Sequence, residues 1–233
     1  MPGHVSMPDL AEARDAVLER IARAATRAAR AADAVQLVAV TKTLPPERVR
    51  DAIAAGLTVL GENRVQEGEA KRSLAPGATW HLIGPLQSNK ARRAIETFDV
   101  IESVDSVELA ERLSRLADEA ARDPLPVLLQ VNVDADPAKA GFTPDGLAAA
   151  LPRILDLGGL GVDGLMTVGR LVERPEDARP TFVALRRLSE RLRRVDGRLG
   201  AALSMGMTDD FEIAVEEGAT IVRVGRALFG ERA

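Results

Sequence analysis

The sequence has no cysteine, no tyrosine and only two histidines, and aromatic residues make up 3% of it. Without cysteine there is no disulfide, thiolate nucleophile or cysteine metal site, and His4 with His81 are too few for a histidine-built metal centre. Without tyrosine, any reaction that needs a phenol as acid or base must use another group. No run approaches the roughly 20 apolar residues of a membrane span. The first residues mix acidic and basic side chains without an apolar stretch, so a cytoplasmic protein is expected. A net charge of -4 with both signs interleaved lacks the broad basic footprint of a nucleic-acid binder. Lysine is scarce too. Lys42, Lys71, Lys90 and Lys139 stand against 27 arginines, which hints that a position keeping lysine needs an amine rather than any cation.

What is present is a repeated alternation. Residues 1–7 read as flexible, and 8–32 as an alanine- and arginine-rich helix outside the main fold, with Leu10, Ala13, Val17, Ile21 and Ala24 at three- and four-residue intervals. Eight β-rich runs follow, at 36–42, 58–63, 80–84, 99–103, 127–133, 162–168, 201–205 and 220–225, and helical runs separate nearly all of them. No linker divides the chain, so 1–233 reads as one domain. Asp105 with Glu108 forms a capping-box pattern, and Thr143 precedes a first-turn Pro144. Leu109, Leu113, Leu116 and Ala120 make one apolar stripe on the helix over 105–121. Strands apolar on both faces suit a parallel sheet covered by helices. Eight such units favour closure into an α/β fold of the (β/α)8 TIM-barrel type, with a doubly wound open sheet as the alternative.

In such a barrel the chemistry lies at the C-terminal strand ends. Those positions hold Lys42, Glu62, Asn63, His81, Gly84, Glu102, Asn132, Met166, Ser204, Arg223, Gly225 and Arg226. Lys42 shares a face with Val38 and Val40, and a sheltered amine stays neutral often enough to form an imine with an aldehyde. A lysine snorkelling from the rim is the competing reading. Ser204, Met205, Gly206, Met207 and Thr208 lead into a helix expected to begin at Asp209, and their N–H and hydroxyl groups suit phosphate oxygens or, equally, ordinary capping. Gly225 allows close backbone approach, and Arg226 adds charge. Arg223, inside an apolar run, needs an acceptor: a ligand's ring nitrogen or phosphate, or an ion pair with Glu62 or Glu102. An amine, a phosphate cradle and an internal arginine fit pyridoxal phosphate better than other common cofactors. Gln66, Gln87, Ser88, Asn89 and Lys90 fall around the same mouth.

The runs VAVTK, GENRVQE, WHLIGPLQSNK, KAGF, GLMTV, SMGMTDD and VRVGRALFG, in this order across most of the chain, closely resemble the pyridoxal phosphate homeostasis protein family, relatives of the N-terminal barrel of alanine racemase. The resemblance implies that Lys42 is the Schiff-base lysine and that Ser204, Gly225 and Arg226 contact the phosphate, and the loop read above adds Gly206, Met207 and Thr208 as candidates for the same cradle. It places Arg223 against the pyridine nitrogen, Asn63 beside the ring, and His81 and Met166 along the pocket. Thr208 and Arg226 stand where serine and threonine are common. The implied role is to bind pyridoxal phosphate, release it to apoenzymes by transient contact and keep the free aldehyde low, and a monomer is expected. Alanine racemase takes its second base from a tyrosine on an additional β domain of the partner subunit, and this sequence has no tyrosine. An arginine against the ring nitrogen also weakens the ring as an electron sink. A non-catalytic carrier is therefore expected. A pyridoxal-phosphate-dependent racemase or decarboxylase is the alternative, and a lysine aldolase a weaker third. Lys90 and Lys139 are left as candidates for a second docking point.

Overall fold

The computed structural model describes residues 7–170 and 172–230. The expected flexible start at 1–7 lies outside them except for Met7, where the first helix begins. Helix α1 runs Met7–Arg27 and buries Leu10, Val17, Ile21 and Ala24 on one face. It stops short of the expected residue 32 because Ala29 turns to φ +53° and the Arg30 N–H returns to the Ala25 carbonyl, a helix-ending turn.

Eight strands alternate with helices from there. Strand β1 (Gln36–Val40) leads to α2 (Glu47–Ala54), β2 (Val59–Glu62) to α3 (Val65–Arg72), and β3 (Thr79–Leu82) to α4 (Ala91–Thr97). Strand β4 (Val100–Val104) leads to α5 (Val107–Glu119), β5 (Leu125–Gln130) to α6 (Pro144–Leu155), and β6 (Leu160–Met166) to α7 (Arg179–Val195). Strand β7 (Ala202–Met207) and α8 (Phe211–Glu216) precede β8 (Ile221–Val224) and α9 (Arg226–Phe229). All neighbouring strands pair in parallel, and β8 returns to β1, so the sheet is a closed barrel. The expected (β/α)8 architecture is therefore the observed one, and the open sheet is excluded.

Two apolar layers hold it. Outward strand residues, among them Leu60, Trp80, Leu82, Ile101, Leu129 and Leu165, are buried against the helices in the main core. Each such side chain stabilises the fold by about 1.5–3 kcal/mol. Inside the barrel, Val38, Leu128, Met166 and Ile221 form a separate cluster, and polar groups take the rest of the interior. Met166 faces inward because the β5–β6 register shifts between Val127 and Leu128: Val162 pairs Val127, but Gly164 pairs Leu128. Exposed Asp163 is the extra residue of this bulge. A side chain at Gly164 would strike the Ala202 carbonyl.

Helix starts follow their caps, with one correction. Thr143 accepts from the Gly146 N–H at 3.0 Å, as its place before Pro144 predicts. On α5 the cap is Ser106, which accepts from the Leu109 N–H, and not Asp105. The α5 stripe also stops earlier than expected: Leu109, Leu113 and Leu116 are buried, but Ala120 is exposed and Ala110 and Ala117 fill its place. Helix α1 packs on α8, where the Arg20 guanidinium lies 4.5 Å from the Phe211 ring centroid and 2.9 Å from Glu212.

Candidate cofactor site

The polar interior adjoins the inner apolar cluster, with Val38 paired to Arg223 and Met166 to Ser204, and is one connected chain of side chains from four strands. His81 on β3 has Nδ1 2.6 Å from Glu102 Oε1 on β4. Glu102 Oε2 accepts from the Ser204 hydroxyl on β7 at 2.5 Å, and Ser204 Oγ accepts from Arg223 Nη1 on β8 at 2.6 Å. Arg223 Nη2 donates to the Thr167 carbonyl at 2.8 Å. All four side chains are buried, and residues on β3, β4, β7 and β8 can meet this way only inside the ring. Burial by itself would push the Glu102 carboxyl up, but the His81 hydrogen bond, the His81 and Arg223 charges and the Ser204 hydroxyl outweigh it and hold Glu102 below its ordinary value. Burial pulls Arg223 down, opposed by Glu102 and Asp210, and a guanidinium stays charged in a protein nonetheless. Of the two acidic partners the sequence offered Arg223, Glu102 is the one beside it, at 3.9 Å. Glu62 points the other way.

Lys42 lies two residues beyond the end of its strand rather than at it. Strand β1 ends at Val40, and Thr41, Lys42 and Thr43 form the turn that follows. Thr41 is fully buried, Lys42 half-buried and Thr43 exposed. Pairing of Val38 with Arg223 and Ala39 with Val224 puts this turn beside the end of β8. Gly225 lies against Val40, where even an added Cβ would make only ordinary contact, 3.4 Å from the Val40 carbonyl. Its missing side chain therefore leaves room rather than relieving a clash.

The loop after β7 differs from its expected form. Strand β7 continues through Met207, and the helix starts at Phe211 instead of Asp209. Asp210 is the cause: its Oδ1 accepts the Met207 N–H at 2.7 Å, closing a tight turn over Thr208 and Asp209. Burial pushes the Asp210 carboxyl up, against that hydrogen bond and the Arg223 charge. The Met207 amide thus already has an acceptor. Gly206, at φ +91°, is required where it stands, since a Cβ there would fall 2.5 Å from Ala214 Cβ and 2.9 Å from Phe211 Cα. Thr208 is half-buried, and its hydroxyl accepts from the Gly225 N–H at 3.4 Å, which joins the loops after β7 and β8. Arg226 is exposed and pairs with Asp209 across the same junction. Ser204, by contrast, has spent its hydroxyl proton on Glu102, beneath this junction.

Asn63 follows β2, half-buried, with its backbone so close to Gly84 that a Cβ on Gly84 would lie 2.4 Å from the Asn63 carbonyl oxygen. Gln66, Gln87, Ser88 and Asn89 are exposed, with Lys90 half-buried. Lys139 reaches from the loop after β5 to the Val168 and Gly169 carbonyls, at 3.2 and 2.8 Å. Sequence reasoning missed Lys71. It is buried, bonded to Glu62 and to the Thr41 carbonyl, and its only signal was that lysine is rare here.

The closed parallel barrel, with Lys42 in the turn after β1 beside the strand that carries the buried Arg223, is of the alanine racemase type. The family model for the alanine racemase N-terminal domain matches residues 14–233. Alanine racemase from Clostridium difficile 630 shares the fold at TM-score 0.73 with 15% identity, over 92% of this chain and 59% of its own. Within that class the chain belongs to the pyridoxal phosphate homeostasis protein family. It is 43% identical over 222 residues to the pyridoxal phosphate homeostasis protein of Aquifex aeolicus, covering 93% of this chain and 95% of that one. PipY of Synechococcus elongatus, solved with pyridoxal phosphate bound, is 43% identical with TM-score 0.81, over 92% of this chain and all of PipY. Among the described residues no helix is long and apolar enough to cross a membrane, and no cluster of three metal-ligating side chains occurs.

Proposed function

We propose that this chain holds pyridoxal 5'-phosphate on Lys42 and serves as a cytoplasmic, monomeric store that buffers the cofactor and hands it to apoenzymes without turning over amino acids. One observation carries the reading: an amine, an anion cradle and a buried cation converge on the neighbouring strands β1, β7 and β8. The family names and the ligand seen in PipY support it.

Pyridoxal phosphate supplies an aldehyde for a primary amine, an aromatic ring with one basic nitrogen, and an anionic tail. The residues present fit those three demands. Lys42 is the amine. Thr208 and the exposed Arg226 offer hydroxyl and charge for the tail, and Gly225, whose N–H meets the Thr208 hydroxyl at 3.4 Å, leaves the room. Arg223, fixed from below by Ser204 and Thr167, presents a permanent cation that opposes protonation of a ring nitrogen set against it. His81 and Met166 form the floor, and Asn63 one wall. With no tyrosine in the sequence, proton delivery from a second face lacks its usual acid.

The test is an absorbance spectrum of the purified protein with pyridoxal phosphate, before and after borohydride, followed by peptide mass mapping. A coloured protein, a reduced adduct on Lys42 and reactivation of an apo-aminotransferase are expected. A colourless protein, or an adduct mapped elsewhere, sinks the assignment, and racemisation of amino acids that disappears in Lys42→Ala replaces the carrier with an enzyme. Light scattering should return a mass near 24.8 kDa.

A further inference from the structure

The turn that carries Lys42 is gripped from outside the barrel. Thr41 Oγ1 donates to Glu62 Oε1 at 2.6 Å, and the Thr41 carbonyl accepts from Lys71 Nζ at 2.8 Å. On the other side of Lys42, the Thr43 N–H donates to Glu67 Oε2 at 3.0 Å. Lys71 Nζ joins the two halves, 2.8 Å from Glu62 and 3.9 Å from Glu67. Thr41, Glu62 and Lys71 are all buried. An ion pair so buried is poor value as glue, since apolar groups of similar volume often stabilise as well or better. Its distinctive product is direction. Here every direction ends on the two residues flanking Lys42, one of which, Thr43, holds φ +64°, an uncommon conformation for a β-branched residue that persists where its surroundings over-determine it.

We propose that Lys71, with Glu62 and Glu67, is a positioning group for Lys42: the cluster clamps the turn so that the amine is presented at the barrel mouth, and this sets how readily Lys42 captures an aldehyde. The proposal rests on the pyridoxal phosphate reading above. Capture joins Lys42 Nζ to the aldehyde carbon as a C=N bond and releases one water, and borohydride then adds hydride to fix the link as a secondary amine. Lys71 takes no part in that exchange, because its own amine is engaged by Glu62 and the Thr41 carbonyl.

Lys71→Met and the double variant Glu62→Gln/Lys71→Met test it. The double variant leaves no unpaired buried charge and preserves the measurement if the single one fails to fold. Both are titrated calorimetrically with pyridoxal phosphate and with pyridoxamine phosphate, which keeps the ring and tail but lacks the aldehyde. The clamp predicts about a tenfold or greater loss of pyridoxal phosphate affinity, a matching loss of borohydride-trapped Lys42, and pyridoxamine phosphate binding within about twofold of the unaltered protein. Equal weakening of both ligands, or of neither, overturns the proposal. Failure of the underlying cofactor reading shows separately, as no adduct on Lys42 in the unaltered protein.

Discussion

Replacing Ser204 with alanine separates two uses of one hydroxyl. The resemblance to the homeostasis family assigns Ser204 to the phosphate, whereas the structure has it donating to Glu102 and accepting from Arg223 inside the barrel. Both partners are charged and buried, so each hydrogen bond contributes about 1.5–3 kcal/mol. Ser204→Ala removes both but leaves Arg223 and Glu102 only 3.9 Å apart, close enough to recover part of the loss by direct pairing. A net destabilisation of about 2–3 kcal/mol of the ligand-free protein follows. At roughly 2–4 °C per kcal/mol for a chain of this length, the melting temperature should fall by roughly 4–12 °C. Calorimetric melting without ligand, paired with a pyridoxal phosphate titration, reads both uses. A melting temperature within about 1 °C of the unaltered protein, together with a large loss of cofactor affinity, would refute the reasoning and return the hydroxyl to the phosphate.

Three further outcomes are expected. Burial pushes Glu62 from 4.5 to about 7 against the Lys71 and Thr41 hydrogen bonds, so the folded chain holds that proton more tightly than the unfolded one. The stability this adds is full below the unfolded value and is lost as pH rises through 7. Glu62→Gln should flatten the decline, worth at most ~2 kcal/mol between about pH 5.5 and about pH 8, and denaturant midpoints at those two values that fall equally in both proteins would contradict it. Gly206→Ala drives a Cβ into Phe211 and Ala214 at a positive φ and should lower stability by about 2 kcal/mol or more, so an unchanged urea midpoint would show that β7 and α8 yield there. Asp209→Asn frees Arg226 from an exposed pair with little effect on folding, about 0.5 kcal/mol or less. It should tighten pyridoxal phosphate severalfold and leave unphosphorylated pyridoxal unchanged, and equal effects on both would remove Arg226 from the phosphate.

The barrel was legible because its strands are apolar on both faces, a pattern that does not depend on exact boundaries. Boundaries fared less well. The run through Lys42 reads as continuous strand, yet hydrogen bonds from Thr41 and Thr43 to α3 and β2 side chains bend the chain after Val40. Asp105 and Ser106 are both good caps, and only the backbone geometry at Ser106 decides between them. The site's inner arginine was legible as a charge needing an acceptor, but the choice between Glu62 and Glu102 turns on which strand face each occupies. Alternation from an uncertain strand end cannot fix that. The bulge at Asp163, which sends Met166 inward, leaves no mark in the pattern, because Val162, Leu165 and Met166 are equally apolar. Lys71 stayed hidden since its partners are set by packing of α3 on β2.

The seam where β8 returns to β1 has a consequence for biogenesis. Lys42 leaves the ribosome early and Arg223 late, and the two come together only when the last strand docks and the ring shuts. A nascent chain that still lacks β8 therefore has Lys42 without Arg223 or the loop that carries Gly225 and Arg226, so the proposed site is incomplete until that strand docks. At the site as proposed, loading would report a finished ring, and by mass action a bound vitamin would favour that ring over any opened state.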